Sequence, residues 1–285
     1  MKTAFYTLLA LVAFAGNSVL CRLALGEDKL DAASFTAIRL FSGIVVLVLI
    51  LLISQRNKTI ASKGSWSASL MLFIYAITFS YAYISLETGV GALILFACVQ
   101  ITMILVGLFL GDKLHSIEWL GVIVAFIGFV YLVMPGVSAP SFSGFVLMSV
   151  SGIAWAGYTL LGKNSSNPLS DTTFNFLRTS PFLILLIAVT AQNASLSNTG
   201  IFLAIISGGI TSGLGYTIWY KVLKDLKSIQ AAVLQLLVPV LATFGGIIFA
   251  NESFSLRLAV STMMILGGIV AVILGKNYIH QKSTV

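Results

Sequence analysis

The sequence predicts an all-α integral membrane protein, with ten transmembrane helices arranged as two inverted five-helix repeats. Three observations predict it. Apolar residues make up 58% of the 285-residue chain and charged residues only 9%, whereas an ordinary soluble domain is about 25% charged. A water-soluble globule could not cover its surface with so few charges. The chain also divides into ten apolar stretches, each near the roughly 20 residues that a bilayer-spanning helix needs. Finally, a pattern near the amino terminus returns half a chain later. Ala15-Gly16-Asn17-Ser18, followed by Arg22 and then Arg39, is answered by Ala156-Gly157-Tyr158-Thr159, followed by Lys163 and then Arg178. Solenoid repeats recur every 20 to 50 residues or so, so this longer period marks a duplicated module.

In order, the spans of the first half are expected at residues 3–21, 34–53, 67–86, 89–110 and 116–134. Those of the second half are expected at 143–162, 172–191, 199–220, 228–249 and 256–276. Span one, with Lys2 before it and Ala13-Phe14-Ala15 within it, mimics a secretory leader. Cleavage there would destroy one copy of the repeat, so it is expected to persist as a span. Spans two and seven each carry an arginine, Arg39 and Arg178. Spans three and four are joined only by Glu87-Thr88. A re-entrant hairpin is the alternative there, and two runs of about twenty residues favour two crossings. Span eight holds Ser207-Gly208-Gly209-Ile210-Thr211-Ser212-Gly213-Leu214-Gly215, which permits close packing through small residues or a bend. In span nine Pro239 removes a backbone donor, so a kink with free carbonyls is expected.

Ten spans put both termini on one side. If that side is the cytoplasm, it carries Lys2, Arg56, Lys58, Lys63, Lys113, Lys163, Lys221, Lys224, Lys227, Lys276 and Lys282, eleven bases in all. The opposite side carries only Arg22, Lys29 and Arg257. An excess of bases stays in the cytoplasm, so the expected location is the bacterial inner membrane with cytoplasmic termini. The first repeat is expected over residues 1–136, the second over 141–276, and a cytoplasmic tail over 277–285. Five spans per repeat is an odd number, so the second copy enters the membrane upside down. Inverted repeats of this kind characterise many secondary transporters, with the substrate near the midplane between the copies.

The net charge of +7 does not imply nucleic acid, because the bases stand singly or in small groups between apolar runs and form no basic face. Cys21 and Cys98 both fall in apolar runs, where thiols act as small hydrophobes, and no disulfide framework is indicated. The partners expected are therefore a small-molecule substrate and the lipid bilayer. A homodimer is compatible with the chain, and oligomeric state is left open.

These features resemble the drug/metabolite transporter superfamily, specifically its EamA-type ten-helix members, over essentially the whole chain. The resemblance is carried by the Ala-Gly-x-[Ser/Thr] pattern of spans one and six and by Arg39 and Arg178. Leu237-Val238-Pro239, Asn251-Glu252-Ser253-Phe254 and Gly267-Gly268 add to it in the second half. The first half answers with Cys98-Val99-Gln100, Gly111-Asp112-Lys113-Leu114 and Gly128. It departs from the pattern in having Gln100 where the second half has Pro239, and Asp112 where the family usually has Glu. The resemblance implies export of small metabolites, aromatic and other amino acids among them. It also implies a cavity walled by spans one, three, four, six, eight and nine, with spans five and ten at the periphery.

Polar residues inside hydrocarbon face a cavity or another helix. Gln100 and Gln235 lie near the middles of spans four and nine, where each either lines the cavity or bonds helix to helix. Asn17 and Tyr158 occupy matching repeat positions, with Trp155 one turn from Tyr158, and all three are candidates for the substrate path. Tyr81, Tyr83, Tyr216, Trp219 and Tyr220 mark the ends of spans three and eight. They read as gates or as interfacial belts; Tyr81 and Tyr216 enter the substrate-path set with Pro239, and Trp219 and Tyr220 lean to the belt, as Trp66 and Tyr278 do. Arg39 and Arg178 each lie about a turn and a half inside a span, where they either snorkel or pair with a carboxylate, or attract an anionic substrate group.

All nine acids, and His115 with His280, sit in loops or at span ends. A proton pump usually carries an intramembrane Asp, Glu or His relay. Facilitated diffusion, exchange, or coupling through a surface group such as Glu87 is expected instead. No phosphate-binding loop is present for ATP, and no cofactor or metal site is expected. A lipid-modifying membrane enzyme is the rival reading, but it needs a catalytic constellation that two loop histidines and unclustered acids do not supply. A channel-like membrane protein is the other.

Overall fold

The computed structural model describes residues 2–26, 29–54, 63–111, 116–134, 139–162, 165–223, 226 and 234–282. Every described apolar run is helical, because in hydrocarbon a backbone N–H or C=O has no water and must find its partner within its own segment. The first half forms α1 (Lys2–Leu25), α2 (Ala32–Ser54), α3 (Trp66–Tyr83), α4 (Thr88–Phe109) and α5 (Ser116–Val133). The second forms α6 (Phe142–Gly162), α7 (Pro168–Leu177), α8 (Ser180–Thr190), α9 (Asn198–Ile206), a π-helical segment (Ser207–Leu214), α10 (Gly215–Leu223), α11 (Leu237–Phe249) and α12 (Leu256–Lys282). Among the described residues there is no strand, only the isolated bridge between Leu30 and Leu196.

Eight described segments are long and apolar enough to cross a bilayer, and Glu118–Val133 and Leu237–Phe249 are shorter apolar helices. Together they account for the ten expected spans. Span seven is divided into α7 and α8, and the cause is local. Pro181 cannot donate to the Leu177 carbonyl, which instead accepts from the Ser180 hydroxyl at 2.7 Å. Span eight comprises α9, the π segment and α10. Span nine is interrupted at Leu236, ahead of α11. Pro239 thus sits in the first turn of α11, where a missing N–H is no loss, and the interruption of span nine falls three residues before it. The expected start of span nine, the loop bases Arg56, Lys58, Lys113, Lys163, Lys224 and Lys227, and Asp112 and His115 lie outside the described residues.

Contacts between loops sort into two sets that test the path of the chain. At one end Asp31 accepts from the backbone of Ser34 and Ser195, at 2.8 and 3.0 Å, tying loop 1–2 to loop 7–8. At the same end Ser85 meets Ser141 at 2.6 Å, and Arg257 donates to the Met134 carbonyl. At the opposite end Asp171 and Asn175 accept from the backbone of Gly64 and Ser65, joining loop 2–3 to span seven. Arg178 donates to the Lys63 carbonyl there. Loops of odd and even order never mix in these contacts, as ten alternating crossings require. Burial pushes the Asp31 carboxyl up, but its bonds to Ser34, Ser195 and Ala33 outweigh that and hold it below the usual carboxylate value.

Helix packing has the symmetry of an inverted duplication. Span three packs on span six as span eight packs on span one, and span four packs on span six as span nine packs on span one. Spans five and ten pair with each other, as do four and nine, and two and seven. The α5–α12 pair closes through small residues. A Cβ on Gly121 would lie 2.5 Å from the Gly268 carbonyl oxygen, and one on Gly268 would lie 2.4 Å from that of Gly121. Apolar side chains such as Phe41, Ile53, Ile184 and Phe249 remain exposed on the outer surface, where acyl chains take the place of water.

The small-residue run of span eight packs on α2 and also departs from α-helical geometry. Gly208 lies so close to α2 that a Cβ there would stand 1.9 Å from the Arg39 carbonyl oxygen. Gly208→Ala is therefore expected to destabilise the fold by about 1–3 kcal/mol. Gly267, with nothing within 4 Å of an added Cβ, is expected to tolerate alanine or to gain up to about 1 kcal/mol. Thermal unfolding of both variants in detergent checks this, and equal melting temperatures would refute the close α2 contact.

Candidate functional site

The two repeats meet around a central cavity. Phe14, Asn17 and Ser18 project into it from α1, and Tyr75 and Phe79 from α3, at the three- and four-residue spacings that put side chains on one helix face. Leu95 and Phe96 of α4, Trp155 of α6 and Tyr216 of α10 complete the wall. The space open to the centre of a water molecule is about 20 Å³, enough for a water or two. The spans must part to admit anything larger.

Aromatic rings make most of the wall. The Trp155 ring centroid lies 4.7 Å from that of Tyr75, 5.1 Å from Tyr216 and 5.5 Å from Tyr158. Phe14 meets Tyr216 edge-on at 5.8 Å. Such pairs add about 0.5–1.5 kcal/mol each beyond their buried area, and they present flat apolar faces to an occupant.

A polar cluster backs this wall. Asn17 donates to the Tyr75 hydroxyl at 3.4 Å, and its carbonyl oxygen accepts from the hydroxyls of Ser207 and Thr211. The π segment explains how three polar residues reach this place. Its wider turn sets Ser207, Thr211 and Ser212 along the face that meets α1 and α2, and π segments recur at functional sites. Arg39 of α2 is 1% exposed. It donates from Nη2 to the Tyr75 hydroxyl at 2.9 Å and from Nε to Ser212 at 3.5 Å. Its guanidinium carbon stands 5.2 Å from the Tyr75 ring centroid and 4.9 Å from that of Phe79.

The end bearing loops 1–2, 3–4 and 9–10 is closed above the cavity. Asn251 (φ 52°) adopts the left-handed conformation just past α11, and the Glu252 N–H returns to the Gly246 carbonyl at 3.2 Å, a helix-ending geometry that asparagine tolerates. This aims the Glu252 carboxylate at the N-terminus of α4. There it accepts from the Thr88 N–H at 2.9 Å and the Thr88 hydroxyl at 3.1 Å, which the helix dipole favours. Arg22 Nε reaches the same carboxylate at 3.2 Å, while its Nη1 donates to the Tyr83 and Ile84 carbonyls. Spans one, three, four and nine are thus stitched together. Half-buried Glu87 has its carboxyl pushed up, first by burial and then by the charge of Glu252, against a smaller opposing pull from Arg22.

Among the expected path residues, Asn17, Trp155 and Tyr216 line the cavity. Tyr158 stacks on Trp155. Arg39 lies behind Tyr75 and Phe79, buried rather than reaching toward the interface. Arg178 is at the other end, half-buried where α7 stops, bonded to the Lys63 carbonyl with Trp66 5.7 Å away. Tyr81 is 37% exposed and lines no part of the cavity. Gln100 is buried in α4 and Gln235 is half-buried ahead of α11, neither in the wall. Pro239 is buried in the first turn of α11, outside the wall. Span nine contributes no cavity-lining side chain among the described residues, contrary to the wall the resemblance implied. Trp219 is no interfacial belt residue, being buried with its ring 5.7 Å from Phe14.

Sequence reasoning passed over Tyr75, Phe79, Phe14 and Phe96. The available signal was Tyr75 itself, a hydroxyl-bearing ring in the middle of an apolar span with Phe79 one turn on.

The sequence profile of the EamA-like transporter family matches residues 1–134 and 142–274. A Pseudomonas aeruginosa protein named only as uncharacterized is 44% identical over 272 residues, 95% of this chain and 94% of that one. An Archaeoglobus fulgidus protein named as an uncharacterized transporter is 28% identical over 207 residues, 70% of this chain and 73% of that one. A solved crystal structure that is 16% identical superposes with a TM-score of 0.65, covering 93% of this chain and 98% of its own. That likeness is one of fold.

The raised Glu87 carboxyl has a consequence for stability. An acid that holds its proton more tightly when folded lends stability fully below its unfolded value, about 4.3, and loses it as pH rises through the folded value. Glu87→Gln, which is permanently neutral, is expected to flatten the melting temperature between mildly acidic and neutral pH and to raise it at neutral pH. Scanning fluorimetry across that range checks both effects, and a parallel shift at every pH would contradict the assignment.

Proposed function

The chain belongs to the EamA-like transporter family, and on that premise we propose that it is a secondary carrier, without catalytic activity, that exports small metabolites across the inner membrane by alternating access. Amino acids and related compounds are the substrates we would test first. One observation carries the reading: a cavity walled by spans one, three and four of one repeat and six and eight of the other. A site built from both halves of an inverted duplication is exposed to one side and then the other as the halves rock. The Arg22–Glu252–Thr88 cluster supports this as a closure at one end, since it must open for that side to be reached.

The excess of bases in even-numbered loops supports cytoplasmic termini. Among the described residues no Asp, Glu or His lines the cavity, which favours uniport or exchange over proton coupling through the site. Nothing in the wall resembles a nucleophile with its base, so the lipid-enzyme rival gains no support from it.

Purified protein in liposomes, offered a metabolite panel read by mass spectrometry, tests the proposal. Saturable movement of one chemical class is expected, with Trp155→Ala reducing the rate about tenfold by removing a ring that stacks on three others. Gln100→Ala, outside the cavity wall, is expected to transport normally. Failure of the wild type to move any compound would remove the carrier reading. Single cysteines placed in each loop and labelled from outside intact cells would test the orientation; labelling in even-numbered loops would reverse it.

A further inference from the structure

Resting on the reading of the central cavity as a carrier's substrate site, we propose that its substrate is a small organic anion, an anionic oxygen group attached to a flat or apolar body. Arg39 is a buried cation, and the groups that face it from neighbouring elements are Cys21 of α1, Tyr75 of α3 and Tyr216 of α10. A thiol and two phenols are neutral at pH 7 in their ordinary ionisation, so none of them cancels the charge. The ion pair formed among the described residues is Arg22–Glu252, which uses neither this cation nor any cavity residue. Nη1 of Arg39 also has no hydrogen-bond partner. Among the described residues this buried charge has no counter-charge; such a charge marks a functional site in a membrane protein, and here the missing charge is negative.

The hydrogen bonds point the same way. The Tyr75 oxygen receives Nη2 of Arg39 and Nδ2 of Asn17. Neither partner can accept in return, so the Tyr75 proton must be given elsewhere. The rings of both Tyr75 and Tyr216 line the cavity. The Tyr75 O–H is thus a donor at the cavity wall that an occupant can take. The Asn17 carbonyl oxygen, by contrast, already accepts from the Ser207 hydroxyl, with Thr211 3.4 Å away and giving its proton to the Ser207 carbonyl at 2.8 Å. Donors are what this wall has left over. A carboxylate fits that balance; a lone ammonium group does not.

Aromatic faces can attract cations, so a cationic amine is the rival occupant. The faces of Tyr75 and Phe79, however, already carry Arg39. The remaining rings, Trp155, Tyr216, Phe14 and Phe96, offer flat apolar surface to the body of the substrate.

Phenylacetate, phenylacetamide and phenethylamine share a ring and differ in the head group, and the indole analogues repeat the series on a larger body. Binding of each to the full chain in nanodiscs, and uptake of each into liposomes, read the preference directly. Each carboxylate is expected to bind at least about tenfold more tightly than its amide, as a charge-assisted hydrogen bond in a dry site implies, and the amine not measurably. Tyr75→Phe keeps the ring and removes the hydroxyl, so it should weaken the carboxylate more than the amide and shrink the carboxylate's advantage. It carries the test even where Arg39→Gln fails to fold. Equal binding of carboxylate and amide, or preference for the amine, overturns the proposal. Saturable movement of neutral or cationic metabolites with no advantage for anions would overturn it while leaving the carrier reading intact. A wild type that moves nothing from either panel takes down both.

Discussion

The guanidinium of Arg39 is buried where spans two, three and eight meet, and the arrangement of that region follows from accommodating it. A charge at this depth is expensive unless donors and aromatic faces replace the water it has lost. Tyr75, Phe79 and Ser212 supply that environment from two different spans. For Ser212 to reach it, span eight must come against α2, and only a glycine at Gly208 allows the backbones to approach so closely. The π segment then rotates Ser207 and Thr211 onto Asn17. One buried cation thus links α1, α2, α3 and span eight, and it leaves the cavity wall with spare donors.

Among the described residues, the contacts at the two ends of the molecule use different chemistry. At the end bearing Glu252 the fastening is an ion pair combined with a helix N-terminus, assembled from spans one, three, four and nine. At the other end, Asp171 and Asn175 accept from the backbone of Gly64 and Ser65, and Arg178 donates to a carbonyl. Inverted repeats make the helix framework pseudo-symmetric, but they do not require the same side chains at the two ends.

Much of the site was legible because polarity in an apolar helix is conspicuous. Asn17, Arg39, Trp155 and Tyr216 stand out in their spans, and the structure brings them within one cluster around the cavity. Gln100 and Gln235 are equally conspicuous and lie outside the wall, because amide side chains can also face a neighbouring helix, and composition does not say which. Tyr81 and Tyr75 show the same limit within a single span. Both are tyrosines of α3, yet one is exposed and the other buried at the centre, since six residues along a helix change the face presented. Without knowing which neighbours surround α3, its inward face could not be chosen. Phe14, Phe79 and Phe96 were invisible for a simpler reason: a phenylalanine in a membrane span is as ordinary facing lipid as facing a cavity.

By itself the sequence determined the number of crossings, their alternation and the duplication. These depend on the length and polarity of local segments, which hydrocarbon reads one helix at a time. Tertiary structure alone decided which faces meet. It turned eight residues of span eight into a π segment and aimed Glu252 at α4 through the left-handed Asn251. Lipid tails are as apolar as the helices, so packing among spans is governed by shape and hydrogen bonds between distant residues. Those contacts, such as Arg39 with Tyr75 and Asn17 with Ser207, exist only once the helices are side by side.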